Sequence, residues 1–313
     1  MNRIANPRTT ARRRASLPAS PHLPPEWKLR RRGGVVVLES LPLARIPWLV
    51  HGFSTRVGGA SLRDGERMLN LGYVEWDDRA HVAENRQKFA RALGAGAMQW
   101  TGMRQFHSST VRILRRDSSP PTPCRGDAMA TRAHGLLLAV QTADCVPILL
   151  ADVRKRIVAA IHAGWRGTAA RIAQKTVGDL RMRFGTRSAD LVAAIGPSIR
   201  GCCYEVGPDV AHEFGSQFAE AHQWFDGPFA SLSTGDEPTP FLWLQFDPPG
   251  HDRPKRVNLD LAAANRWQLE AAGVPSGRIY SCGLCTSCHA DWLFSYRREG
   301  QRTGRLVGAI GIR

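Results

Sequence analysis

Three stretches of this chain hold side chains able to bind a metal or attack an electrophile. The first, Ile157–Thr168, reads as a strand, a glycine-containing loop and a helix start that presents His162 and Arg166. A helix N-terminus suits an anion, because its N–H groups are free and its dipole end is positive. Gly164 and Gly167 let the backbone approach a ligand closely, or else only turn the chain while Trp165 fills the core. The second, Gln141-Thr142-Ala143-Asp144-Cys145, is a polar interruption between two apolar runs. A lone Cys in such a place is usually a core thiol, but the adjacent Asp144 requires water or a partner. The third is His107, after Arg104-Gln105-Phe106. Separations of 38 and 17 residues among His107, Cys145 and His162 match no local zinc template. Two imidazoles and a thiolate with an open fourth position are nonetheless the donor pattern of a catalytic zinc.

The remaining cysteines are Cys124, Cys202, Cys203, Cys282, Cys285 and Cys288, seven in all with Cys145. An odd count without a secretion signal argues against a disulfide framework and for a reducing, cytoplasmic setting. Cys282-x2-Cys285-x2-Cys288-His289 superficially suggests a zinc knuckle or an iron–sulfur site, but no second pair follows it downstream, so no metal is expected there. Cys202-Cys203 reads as a vicinal pair that packs.

The elements that must position these groups follow from apolar patterning. Strands are expected at Val35–Leu38, Trp48–Phe53, Thr110–Leu114, Leu136–Val140, Val146–Leu150, Ile157–Ile161, Leu191–Ile195 and Leu306–Ile312, and helices at Asp78–Leu93, Thr168–Phe184 (Thr168 as N-cap) and Leu259–Ala272. Ser54–Asn70 is Gly- and Arg-rich and reads as a long functional loop. Residues 115–126 read as a linker and 226–254 as a surface insertion. The order of elements is mixed, which favours α+β over a doubly wound sheet.

The net charge of +16 is uneven: residues 1–34 hold nine cations against Glu26 alone. With five prolines and little apolar content, this segment is expected to be a disordered basic extension, either a solvated tail or the product of a start codon placed too far upstream. No apolar run is long enough for a signal peptide or a membrane span. The folded domain is expected to run from 35 to 313.

Several motifs together resemble one family, the purine nucleoside phosphorylases long labelled multicopper polyphenol oxidases or laccase-domain proteins. They are Phe53-Ser-Thr-Arg56, Asn70-Leu-Gly72, Gln105-Phe-His107, Asp127-Ala128, Gln141-Thr-Ala-Asp-Cys-Val-Pro147 and His162-Ala-Gly-Trp-Arg-Gly-Thr168. Gly196-Pro-Ser-Ile199, Cys203-Tyr-Glu-Val206, Cys285-Thr286, Phe294-Ser-Tyr-Arg-Arg298 and Gly304-Arg305 continue the match. It extends from about residue 35 to the C-terminus, outside roughly 226–254. His107 is followed by Ser108 where relatives often carry Gly, and the first loop has a longer variable part.

The resemblance implies a single-domain α+β fold, a sandwich of mixed β-sheets flanked by helices, and a zinc held by His107, Cys145 and His162. It further implies phosphorolysis of adenosine, inosine, guanosine or methylthioadenosine, and deamination of adenosine. The expected ligands are therefore a nucleoside and phosphate, with no nucleic-acid or membrane partner. Arg56 and Arg166, each in a glycine-containing loop, are the candidates to hold phosphate, or else they pair with Asp144 or Glu205 and brace the loops. Asp144 is the candidate to orient a ligand or move a proton. Bacterial relatives are also named peptidoglycan editing factors, so an amidase is an alternative, with Cys145 as nucleophile and His162 as base or through zinc. A copper phenol oxidase is a weaker one: ten histidines contain no His-x-His, and nothing in the sequence places Met103 or Met129 as an axial copper ligand. A nucleic-acid binder built on the basic tail would show steep salt dependence.

Overall fold

The structure is a computed structural model and describes residues 18–115, 124–226 and 257–313. Two six-stranded sheets make up its centre. The first has the order Trp27–Arg32, Val35–Ser40, Leu49–Ser54, Leu306–Ile312, Leu136–Thr142, Gln99–Thr101; the second has Ile279–Ser281, Leu191–Ile195, Val146–Asp152, Ile157–Ala163, Ala128–Thr131, Val111–Leu114. Most pairs are antiparallel, while the short Gln99–Thr101, Ile279–Ser281 and Val111–Leu114 strands join in parallel.

Every residue of Val146–Asp152 and of Ile157–Ala163 is buried. Each face of the second sheet is covered, so its strands read as continuous apolar runs. Alternation still decides which core a residue joins. Val146, Ile148 and Leu150 pack with the Ile172–Phe184, Pro208–Gln217 and Leu261–Ala271 helices. Leu149 and Ala151 face Phe53, Leu138, Val140 and Ile310 of the first sheet. The outer face of that sheet, through Val35, Val50, Leu137 and Val307, packs against Phe89 and Leu93 at the Arg79–Ala92 helix. The result is the expected α+β sandwich of mixed sheets flanked by helices.

Three expectations need correction. The folded chain includes Trp27–Arg32, an edge strand paired in register with Val35–Ser40. Arg30 and Arg32 reach across to Glu39, so cations taken for an unfolded tail satisfy a buried carboxylate and charge an edge. Residues 1–17 of the expected extension lie outside the described residues. Ser54–Asn70 is a two-stranded ribbon, Val57–Arg63 with Glu66–Met68, for much of its length. The Thr168–Phe184 helix is two: Trp165–Ala169 and Ile172–Phe184, separated at Arg171, whose φ is 61°. Thr168 does not cap; its hydroxyl and carbonyl accept hydrogen bonds from Asn265 and Gln268 of the neighbouring helix. Most of the expected linker (116–123) and of the insertion (227–256) lies outside the described residues. Among the described residues no helix is long and apolar enough to cross a membrane.

Candidate metal centre and active site

The second sheet delivers its chemical groups to one end. The hairpin pairs Val146 with Ala163 and Pro147 with His162, which sets Cys145 just beyond the strand end, near His162. On the other side of His162, the next strand places Asp127, whose carbonyl accepts the His162 N–H at 2.7 Å. His107 lies just before the edge strand Val111–Leu114.

The donor atoms of His107, Cys145 and His162 all fall within 4.8 Å of one another. Cys145 Sγ is 3.8 Å from His107 Nε2, and the two imidazole rings stand edge to face with centroids 5.0 Å apart. Asp127, fully buried, organises both histidines. Its carboxylate meets His162 Nδ1 at 2.9 Å and accepts the backbone N–H groups of Phe106, His107 and Ser108 and the Ser108 hydroxyl. His107 adopts φ 61°, a left-handed conformation uncommon outside glycine, and the converging N–H groups hold it there. With Nδ1 committed to Asp127, His162 presents Nε2 to the thiol. A Cβ at Gly164 would lie 2.8 Å from His107 Cδ2 and 3.0 Å from Cys145 Sγ, so only glycine leaves room beside these donors.

The electrostatics agree. Burial pushes the Cys145 thiol up, but the charge of His162 and hydrogen bonds from His107 and His162 outweigh it and bring the thiol down to about 6. Burial would lower His162, yet the Cys145 thiolate and Asp127 raise it to about 9. Burial also opposes ionisation of Asp127, and its bonds to His162 and Ser108 still lower it to about 2. Each group thus favours the charged form of the other, a thiolate beside an imidazolium. Three soft or borderline donors with a fixed tautomer are the set that a zinc ion takes with one position open.

These donors open into a cavity of about 620 Å³ whose wall includes Trp165, Arg166, Tyr204, Tyr296, Arg297 and Arg305. Among the described residues none of these three arginines is ion-paired: Arg166 lies over Trp165, Arg297 bonds the Glu205 carbonyl, and Arg305 bonds the carbonyls of Thr303 and Gly304.

Comparison with known proteins places this arrangement. The family described as multi-copper polyphenol oxidoreductase laccase matches residues 50–313. The chain belongs to that family. A relative from Deinococcus radiodurans, named purine nucleoside phosphorylase, is 39% identical over 274 residues, covering 87% of this chain and 93% of the relative. A protein from an unknown prokaryotic organism, named adenosine deaminase RL5, is 34% identical over 284 residues, covering 88% of this chain and 99% of that one. The crystal structure of YlmD from Geobacillus stearothermophilus superposes with a TM-score of 0.73 at 31% identity, covering 91% of this chain and 98% of that one.

Within this laccase-family fold, the residues singled out from sequence separate into two groups. His107, Cys145, His162, Asp144 and Arg166 meet at the cavity. Arg56 does not line it. Its side chain is only 11% exposed, and its guanidinium pairs with Glu299 at 3.0 Å, bonds the Ala290 carbonyl and lies over Phe294, so it braces the segment behind the wall. Asp144 touches neither imidazole: its oxygens accept Thr286 Oγ1 and the Arg297 N–H, each at 2.6 Å. The carboxylate bonded to a histidine is Asp127, legible beforehand only as part of a matching motif. The anion cradle expected at a long helix start is a single turn, Trp165–Ala169. Arg297 and Arg305, like Asp127, are legible in the sequence only as part of matching motifs, because no local pattern shows that this distant segment reaches the cavity. Met103 does line the cavity, whereas Met129 is buried in the core between the sheets. Of the C-terminal cysteines, Cys285 and Cys288 join Cys202 and Cys203, a grouping without Cys282 or His289.

Proposed function

We propose that this chain is a metal-dependent purine nucleoside phosphorylase that also deaminates adenosine. The observation that carries the reading is one cavity holding three arginines, none ion-paired among the described residues, beside a His107–Cys145–His162 donor set with an open side. Arg166, Arg297 and Arg305 bind phosphate, whose negative charge would otherwise be costly to desolvate. Trp165, Tyr204 and Tyr296 offer flat faces for a purine. With phosphate held by the arginines and the purine by the rings, phosphate attacks the ribose C1′ as the base departs with the glycosidic electron pair, and positioning accounts for much of the rate. His107, Cys145 and His162 would hold zinc, which supplies Lewis-acid activation at the substrate. Asp127 keeps His162 in its ligating tautomer, and Asp144 keeps Cys145 and Arg297 in register across the cavity. As the cavity carboxylate nearest the thiol in sequence, Asp144 is also the group to take a proton from the water that attacks C6 of adenosine and pass it to the amino group, which leaves as ammonia when the C6–N bond breaks.

The test is a purified-protein assay with adenosine, inosine, guanosine and methylthioadenosine, with and without phosphate, alongside metal analysis. Free base should appear only with phosphate, and hypoxanthine nucleoside should form from adenosine without it. Cys145→Ala should lose the metal at this centre and both activities. Retention of metal there and activity in that variant would refute the reading. Phenol oxidation with bound copper would instead support a copper site that recruits Met103, and peptide-bond cleavage abolished by alkylation of metal-free protein would support the thiol amidase.

A further inference from the structure

The remaining thiol grouping sits outside the cavity just described. Cys202 and Cys203 occupy the turn after Arg200, whose carbonyl accepts the N–H groups of both Cys203 and Tyr204 at 2.9 Å. Cys285 and Cys288 bound a second tight turn, in which His289 N–H returns to the Cys285 carbonyl at 3.1 Å. A parallel bridge between Ser198 and Cys285 ties the two segments together, with Thr286 N–H bonded to the Ser198 carbonyl. Two pairs of cysteines more than eighty positions apart in sequence are thereby brought to one point.

The four sulfurs lie within 4.8 Å of one another; Cys288 Sγ is 3.4 Å from Cys203 Sγ and 3.6 Å from Cys202 Sγ. A tetrahedral zinc with four Zn–S bonds of about 2.3 Å has sulfur–sulfur edges of roughly 3.8 Å. A cluster of several irons needs a larger polyhedron of thiolates than this one. The sequence provides the two well-separated pairs that a structural zinc site uses, although the second lies upstream of Cys285-x2-Cys288 rather than downstream. Two of the four thiols, Cys202 and Cys288, are exposed, an unprotected arrangement for free cysteines.

We propose that Cys202, Cys203, Cys285 and Cys288 bind a second, structural zinc ion that clamps the 198–204 segment to the 284–289 segment. Binding replaces four S–H bonds by four Zn–S bonds and releases four protons to solvent. The resulting anionic centre lies beside Arg298, which bonds the Ser287 carbonyl inside the Cys285–Cys288 turn. All four positions are filled by protein, so the ion has no open site for substrate. Its effect on the cavity is through position. Tyr204, next to Cys203, lines the cavity, and Thr286, next to Cys285, donates its hydroxyl to Asp144 beside Cys145. Cys282 takes no part: it is buried away from the four, and burial pushes its thiol up to about 12.

The experiment is zinc analysis of the full chain purified under reducing conditions, for the wild type and for Cys202→Ser and Cys288→Ser. Each substitution should remove one equivalent of zinc per chain, whatever the occupancy at His107, Cys145 and His162, and Cys145→Ala should leave that equivalent in place. Should the variants fail to fold, wild-type protein answers alone. Graded modification with an organomercurial should release one zinc as four thiols react, and Co2+ in its place should give the strong sulfur-to-metal absorption of a tetrathiolate. Zinc content unchanged by Cys288→Ser, iron in place of zinc, thiol modification without zinc release, or a disulfide in the freshly reduced protein would each overturn the proposal.

Discussion

Asp127 Oδ1 and His162 Nδ1 meet at 2.9 Å, and the same carboxylate gathers the backbone of Phe106, His107 and Ser108. One buried group thus fixes the ring of one metal donor and the main chain of another. Outer partners of this kind typically govern metal affinity by 10–100-fold. Asp127→Ala is therefore expected to weaken zinc binding at this centre by roughly that factor, with a matching loss of turnover at limiting metal. Metal titration against a competing chelator measures it. Unchanged affinity would show that His162 needs no support. Ser108 adds its hydroxyl to the same carboxylate, so Ser108→Gly should have a smaller effect in the same direction.

The three cavity arginines should separate the two activities. Loss of a charge-assisted hydrogen bond costs about 1.5–3 kcal/mol, or roughly 10–150-fold in an equilibrium constant. Arg166→Ala or Arg305→Ala should raise the KM for phosphate by a factor in that range and leave adenosine deamination much less affected. Arg56→Ala should behave otherwise. It frees Glu299 from one of its two arginine partners and strips a cation from Phe294, so stability falls by about 1–3 kcal/mol while the phosphate KM stays put. Phosphate-dependent kinetics together with urea unfolding distinguish these outcomes, and a raised phosphate KM in Arg56→Ala would contradict its placement.

What could be read from the sequence follows from burial. Val146–Asp152 and Ile157–Ala163 were legible because covered sheets write continuous apolar runs. The residues flanking them, Cys145 and His162, stood out as polar groups at the ends of such runs. Trp27–Arg32 was not legible, since an edge strand carrying four cations looks like a solvated tail until Glu39 is seen across from it. Arg297 and Arg305 are legible only within matching motifs, without their role. Their positions depend on long-range bonds, Arg297 N–H to Asp144 and Arg305 N–H to Asn70 Oδ1, that leave no periodic trace. The four-thiol grouping is hidden for the same reason: neither pair has a second pair nearby in sequence, while the bridge between Ser198 and Cys285 joins pairs far apart in the chain.

His51 is expected to make stability depend on pH in a window of its own. Burial lowers its pKa to about 4, outweighing a smaller raising effect at the Ser40 backbone, and the Ser40 N–H donates to the unprotonated Nε2 at 3.2 Å. The folded pKa lies below the unfolded value of about 6.5, so the unfolded chain binds more protons. The contribution is complete above pH 6.5 and is lost as pH falls towards 4, by roughly 3 kcal/mol in total. Asp127 acts lower, between its ordinary range and about 2, and His162 acts in the opposite sense, losing its contribution in metal-free protein as pH rises through about 9. Urea unfolding between pH 4 and 7 should therefore show a slope that flattens in His51→Gln. An equal slope in both proteins would mean that His51 is protonated without cost.

Cys145 should report the state of the metal centre through its reactivity. In metal-free protein the thiol ionises near 6 because the neighbouring imidazoles outweigh its burial. Thiolate is the nucleophile, so the rate of alkylation at Cys145 should climb as pH rises through about 6 and level off by neutrality. Cys202 and Cys288 differ: burial leads in raising the first, and a hydrogen bond with Cys203 leads in raising the second. At pH 7 a limiting amount of iodoacetamide should thus mark Cys145 before those two, as read by peptide mass spectrometry. Zinc loaded before the reagent should protect Cys145 by occupying its sulfur. His162→Ala removes the leading charge that stabilises the thiolate, so the midpoint should move upward and protection should weaken together. If the midpoint stays near that of an ordinary thiol in the metal-free wild type, the thiolate–imidazolium pair does not form, and the sulfur would reach its ligating state only when a metal displaces the proton.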